Sequence, residues 1–249
     1  MITHKLKEVM EISDYITVLK DGEVTGNLLP QKTNEEELAS LMVGRKVLFN
    51  TTKKKSQLGE PILEVKNLTV CDGDGVERVK NVNLTVKKGE IVGIAGVAGS
   101  GQSELVEAIF GLRRPHAGEI LYKKEVITNK TPREKRQDKI GYVPQDRLAT
   151  GCCVNGSLID NSIMGYHVAH KFSNPRLINK KEARAFTQAV EQQFQVKIQE
   201  IEDAMGTMSG GNIQKAIVGR EFLQDNDILI IEDPTRGIDV GAIEFIWQK

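Results

Sequence analysis

Residues 91–95 read Ile-Val-Gly-Ile-Ala and run straight into Gly96-Val97-Ala98-Gly99-Ser100-Gly101-Gln102-Ser103, after which apolar positions recur at helical spacing from Glu104 to Phe110. A continuously apolar run of this length predicts a strand covered on both faces. A glycine-rich turn between such a strand and a helix commits the chain to α/β packing, because the helix must fold back over the sheet that the strand enters. The spacing fits the phosphate loop G-x-x-x-x-G-K-[ST] at every fixed position except the lysine, where Gln102 stands. Glycines let the backbone curl so that successive N–H groups and the helix N-terminus address one anion. Gly96, Gly99, Ser100 and Gly101 are therefore the candidate cradle, and Ser103 the candidate magnesium ligand. Gln102 can offer the anion a neutral hydrogen bond and no charge, and charge-assisted bonds are about twice as strong. Weakened phosphate binding is the expectation, and a ligand-free strand-to-helix turn stays open at this point. A dinucleotide site does not fit, since Glu104 stands where G-x-G-x-x-G needs its third glycine and Glu119 opens a strand when it should end one.

Around this turn the pattern alternates strand and helix. Residues 62–65 and 82–86 alternate as half-buried strands, residues 120–122, 140–143 and 228–231 read as further strands, and residues 180–194 as helix. A mostly helical insert is expected near residues 157–206. Ahead of it all, residues 6–12 read as a short helix, residues 15–19 as a strand turning at Asp21-Gly22, and residues 35–43 as a helix capped by Asn34. These pieces are too few to close a core of their own. The polar stretch that follows, with Lys53-Lys54-Lys55, looks like a linker.

Composition narrows the classes. Thirty-four Lys and Arg balance thirty-four Asp and Glu, so no global field draws the chain to nucleic acid or anionic lipid. Aromatics at 5% make a base-stacking platform a poor fit. Cys71, Cys152 and Cys153 match neither a disulfide framework nor zinc spacing. The first residues lack the apolar core of a secretory signal, so the reading is cytosolic.

Three more segments complete a resemblance. Tyr142-Val143-Pro144-Gln145-Asp146-Arg147 resembles a glutamine loop, Met208-Ser209-Gly210-Gly211-Asn212-Ile213-Gln214-Lys215 a signature, and residues 228–233 with Pro234-Thr235-Arg236-Gly237-Ile238-Asp239 a Walker B strand and D-loop. In this order they resemble the ATP-binding cassette family, and within it the fused double-cassette ATPases of bacterial nucleoside and simple-sugar importers. The resemblance implies a P-loop NTPase core of the ABC type with an antiparallel β subdomain and a helical insert. It also implies ATP and Mg2+ as ligands, with Ser103, Gln145 and Glu232 at the metal. Residues 2–9 resemble a switch-histidine loop, which assigns His4 to an upstream first cassette. Residues 1–45 become the tail of that first domain, 46–60 a linker and 61–249 a second cassette shortened at its C-terminus.

In that family each ATP lies between one domain's phosphate loop and the other's signature, so Ser209, Gly210 and Gly211 would serve the first domain's nucleotide. The chain's own half looks degraded. Walker B strands usually end in Asp then Glu, whereas here Glu232 precedes Asp233, one methylene short for the water-polarising role and one long for the metal. No Phe, Tyr or Trp lies between Phe49 and Phe110 to stack on adenine. Implied partners are the first cassette, membrane permease subunits docking near residues 157–194, and indirectly a substrate-binding lipoprotein, at the cytoplasmic face of the plasma membrane and with no nucleic acid. Two alternatives stand beside this: a non-hydrolytic nucleotide-binding scaffold or regulatory module, and a soluble cassette of translation or DNA repair, which would need a basic arm.

Overall fold

A computed structural model of the chain describes residues 1–47, 56–174 and 177–249. The chain opens with α1 (Leu6–Ile12), the hairpin of β1 (Ile16–Lys20) and β2 (Glu23–Leu28), and α2 (Glu35–Val43). Asp21 and Gly22 turn the hairpin at φ 51° and 86°, the left-handed pair that a two-residue connection needs. Asn34 caps α2 as expected, its Oδ1 accepting the Glu37 N–H at 2.9 Å. One expectation is corrected here. Leu6, Ile16, Val18, Leu38, Ala39 and Val47 do bury together, because Val240 from the far end of the chain closes their cluster. Val47, 3% exposed, therefore belongs to this unit and not to the linker read over residues 46–60. The far end of that stretch is also fastened, Gly59 donating to the Lys88 carbonyl and Lys88 to that of Glu60. The Lys53-Lys54-Lys55 run lies outside the described residues.

The antiparallel β subdomain follows as β3 (Pro61–Cys71), β4 (Glu77–Lys87), β5 (Ala117–Tyr122) and β6 (Glu125–Val126), ordered β4-β3-β5-β6. Val65 stands opposite Leu84 on one side and Ile120 on the other, so one face of the sheet is apolar. That face packs on α3 (Gln102–Phe110), whose Leu105, Val106, Ile109 and Phe110 point into it. Next come α4 (Pro132–Gln137) and the parallel pair β7 (Ile140–Val143) and β8 (Ile228–Ile231), with Val143 opposite Ile231. Between those strands lie α5 (Leu158–Ile163), α6 (Lys180–Phe194) and α7 (Gly210–Phe222), and α8 (Val240–Gln248) follows β8. These helices share a second core around Phe172, Phe186, Phe194, Met205 and Ile217, as the insert reading requires.

The expected buried strand at residues 91–95 is corrected. Among the described residues this segment joins no ladder, and Ile91 and Ile94 are 76% and 46% exposed. Among the described residues β8 pairs with β7 alone, and Ile231 at its end is 39% exposed. An apolar run states that a segment gains from burial, while the edge that receives it is decided by tertiary packing.

One buried ion cluster joins the layers. Glu221 on α7 accepts from Arg136 at 2.8 Å, Arg220 at 2.9 Å and the Tyr166 hydroxyl at 2.6 Å. Lys135, fully buried, caps the C-terminal end of α3 by donating to the Ile109 carbonyl at 2.7 Å.

Candidate functional site

The glycine loop sits where the sequence puts it, at the N-terminus of α3. Gly99 and Gly101 have φ of 84° and 96°, and a Cβ at Gly101 would lie 2.3 Å from the Arg78 carbonyl oxygen on β4. Glycine at 101 is thus required both by conformation and by space. Gln102 opens α3 and turns its amide back over the loop, its Nε2 donating to the Val97 carbonyl at 3.3 Å and crowding Gly96. The side chain that stands where the motif has its lysine is bonded to the loop's own backbone. Ser103 is half-buried in the first turn of the helix.

Gln145 and the acids follow the C-terminal ends of two neighbouring parallel strands, the position where α/β sheets carry their sites. The Glu232 N–H donates to the Val143 carbonyl at 2.9 Å, which brings the end of β8 beside the glutamine loop. Gln145 itself is exposed. The Glu232 carboxylate is half-buried and accepts from the Tyr142 hydroxyl. Burial first, and that bond second, push the Tyr142 phenol well above its ordinary range, so it stays a donor. Asp233 is exposed and takes φ 36°, the left-handed conformation that Asp tolerates better than most residues. Ser103, Gln145 and Glu232 offer a hydroxyl, an amide and a carboxylate, an all-oxygen set of the kind Mg2+ accepts while keeping its waters.

The signature opens α7 as expected. Ser209 is its cap residue, with Oγ accepting from Asn212 at 3.0 Å. Gly210 and Gly211 are flanked by opposite charges: a Cβ at Gly210 would lie 2.7 Å from Arg147 Nη2, and one at Gly211 would lie 3.1 Å from Asp239 Oδ2. Asp239 also caps α8 through the Ala242 N–H at 2.9 Å. Signature and D-loop are therefore packed together. His4 is exposed just ahead of α1, in the unit closed by Val240, and not with these loops. Tyr142, Arg147 and Asp239 lie inside the motif segments, and nothing in the sequence marks them apart from their neighbours. The available signal was the pair Gly210-Gly211, which marks backbone approached closely by a neighbour.

The profile of the family described as ABC transporter matches residues 79–236, from β4 through the phosphate loop and signature to the D-loop. The chain belongs to the ABC transporter family. Its fold is likewise that of solved cassettes. A dimeric ATP-binding cassette in a post-hydrolysis state, bound to ADP and Pi, matches with a TM-score of 0.63 at 25% identity over 74% of this chain and 79% of that one. A nucleotide-free cassette from an ABC transporter gives 0.60 at 22% identity over 75% and 74%. The P-loop NTPase fold of the ABC type is thus established for this chain. Among curated relatives, a guanosine import ATP-binding protein of Bacillus subtilis is 43% identical over 96% of this chain and 47% of its own length. A glucose import ATP-binding protein of Haloferax volcanii is 42% identical over 99% and 45%, and a nucleoside import ATP-binding protein of Lactococcus lactis 38% over 100% and 49%. The cassette spans about half the length of these relatives. Among the described residues no helix is long and apolar enough to cross a membrane.

Proposed function

We propose that the chain is the ATP-binding part of an importer of nucleosides or simple sugars, working peripherally at the cytoplasmic face of the plasma membrane against permease subunits fed by a substrate-binding lipoprotein. Within it, residues 1–45 belong to a first cassette together with Val47, which packs on them, the rest of 46–60 is a linker and 61–249 is a second cassette. The observation that carries the reading is the contrast between the two halves of the machinery. The opening of α7 keeps Ser209, Gly210 and Gly211 at a helix N-terminus flanked closely by Arg147 and Asp239, and the helix end and the Arg147 cation suit a phosphate. The phosphate loop of the same chain has Gln102 bonded to Val97 where a cation should reach the anion. The names of the relatives support the import class, and their mixture of guanosine, nucleoside and glucose leaves the solute class at nucleosides or simple sugars.

In this reading the signature completes the first cassette's ATP site, and the chain's own site holds nucleotide weakly and helps keep the cassettes together. Gly96, Gly99, Ser100 and Gly101 would bind the phosphates through backbone N–H groups, and Ser103, Gln145 and Glu232 would hold Mg2+, which would supply charge neutralisation at the phosphates. Asp233 falls short of the water that a Glu would reach, and a misplacement of about 1 Å costs about a hundredfold in rate. His4 serves the first site. The isolated chain should then release phosphate from ATP at background rate only.

Uptake by the complete transporter tests the assignment. Ser209→Arg or Gly210→Asp should abolish transport, by bulk or by repulsion of the phosphate across the interface, while Asp233→Asn should change it little. Transport stopped by Asp233→Asn and untouched by Ser209→Arg would reverse the assignment of the working site.

A further inference from the structure

Three loops that carry separate motifs meet at one side chain. Asp146 fixes the turn after the glutamine loop, its Oδ1 accepting from the Leu148 and Ala149 N–H groups, both at 2.9 Å. Arg147 leaves the backbone from that turn and crosses to the D-loop, where Nη1 donates to the Arg236 carbonyl at 2.7 Å and Nη2 to the Gly237 carbonyl at 3.4 Å. The same guanidinium lies against the opening of α7, filling the space that a side chain at Gly210 would need. Gly237 sits at φ 63°, so its carbonyl is aimed by a conformation that glycine adopts freely. A cation at the positive end of a helix is unfavourable by itself. Here two carbonyls on a different loop take its donors and fix it there.

We propose that Arg147 is a positioning residue that clamps the turn at residues 236–237 against the N-terminus of α7, so that glutamine loop, D-loop and signature move as one body. Its geometry explains why glycine is needed at 210 and ties the turn that follows Gln145 to the signature. The effect on turnover rests on the function proposed above; the clamp itself does not.

Hydrogen exchange on the chain, read by mass spectrometry, tests the clamp. In Arg147→Gln, amides of residues 233–239 and 209–213 should exchange about tenfold faster, the effect of losing one charge-assisted bond to a loop, with the β3–β5 sheet unchanged as the internal control. Arg147→Lys, which can reach one carbonyl, should fall between. In the complete transporter ATPase, Arg147→Gln should lower kcat by about tenfold and leave the KM for ATP nearly unchanged, with Arg147→Lys restoring part of it. Unchanged exchange overturns the inference. Faster exchange with wild-type kcat overturns the positioning role of Arg147 in turnover and leaves only the clamp. A wild-type transporter that hydrolyses no ATP would sink the proposed function, while the exchange measurement would still judge the clamp.

Discussion

Replacing Glu221 by Gln should destabilise the fold by about 3–5 kcal/mol, the usual effect of breaking a buried ion pair by removing one partner. The carboxylate is fully buried, and Arg136 Nη1 spans both its oxygens at 3.0 and 2.8 Å. Arg220 Nε adds a bond at 2.9 Å and the Tyr166 hydroxyl one at 2.6 Å. Arg220 is itself 2% exposed. The amide keeps the shape but loses the charge, and its NH2 turns a donor toward donors, so two nearly dry guanidiniums are left facing a neutral group. Against a total of about 5–15 kcal/mol for an ordinary domain, that loss should be plain in urea unfolding as a lower midpoint at unchanged slope. Acidity gives a second reading. Burial alone would push the Glu221 pKa up, but Arg220 and Arg136 outweigh it and hold the carboxyl below the usual range. A depressed folded pKa means that the contribution is complete above the unfolded value and is lost as pH falls through the folded one. Wild type should therefore lose stability more steeply in acid than Glu221→Gln. A loss under about 1 kcal/mol at neutral pH would refute the claim that this cluster joins the layers.

Burial holds the Lys135 ammonium down to about 8, so the unfolded chain binds more protons than the native one from there to the ordinary lysine value, and this group's contribution to stability rises with pH across that window; Lys135→Met should remove the slope, read as Tm against pH. Gln102→Lys should tighten ATP binding by placing a cation at the phosphates, and calorimetric titrations of equal affinity would show that the glycine loop is not the phosphate site.

The fold was legible where periodicity and punctuation agree. Residues 140–143 and 228–231 form the expected strands, and residues 35–43 lie between Asn34 and Gly44 as capping chemistry demands. Residues 91–95 have the pattern of a covered strand yet join no ladder, because apolar content carries no record of the partner edge, and among the described residues β8 has a partner on one side only. The clustering of Val47 and Val240 was equally invisible, since two valines about two hundred residues apart share no local signal. At the site, glycines named the loop and the helix N-termini. The charged neighbours that make glycine necessary, Arg147 at Gly210 and Asp239 at Gly211, lie on other loops and emerge only in three dimensions.

The inverted acids can be argued from backbone geometry. Glu232 directly follows β8 beside β7, where the Tyr142 hydroxyl takes up the reach of the longer side chain, and Phe110 stacks on that tyrosine with ring centroids 4.7 Å apart. Asp233 starts the turn closed by the Arg236 N–H on its carbonyl, at a positive φ where a short polar side chain is among the few that sit without much strain. Each acid therefore suits its own position, and restoring the usual order should harm the chain before it helps catalysis. The double variant Glu232→Asp with Asp233→Glu loses the tyrosine bond, a charged-acceptor bond of about 1.5–3 kcal/mol, and puts a longer residue in the left-handed turn. Its Tm should fall, and phosphate release by the chain should stay at background. A variant as stable as wild type that hydrolyses ATP would mean that the order of the acids, and not the turn that carries them, sets the activity of this site.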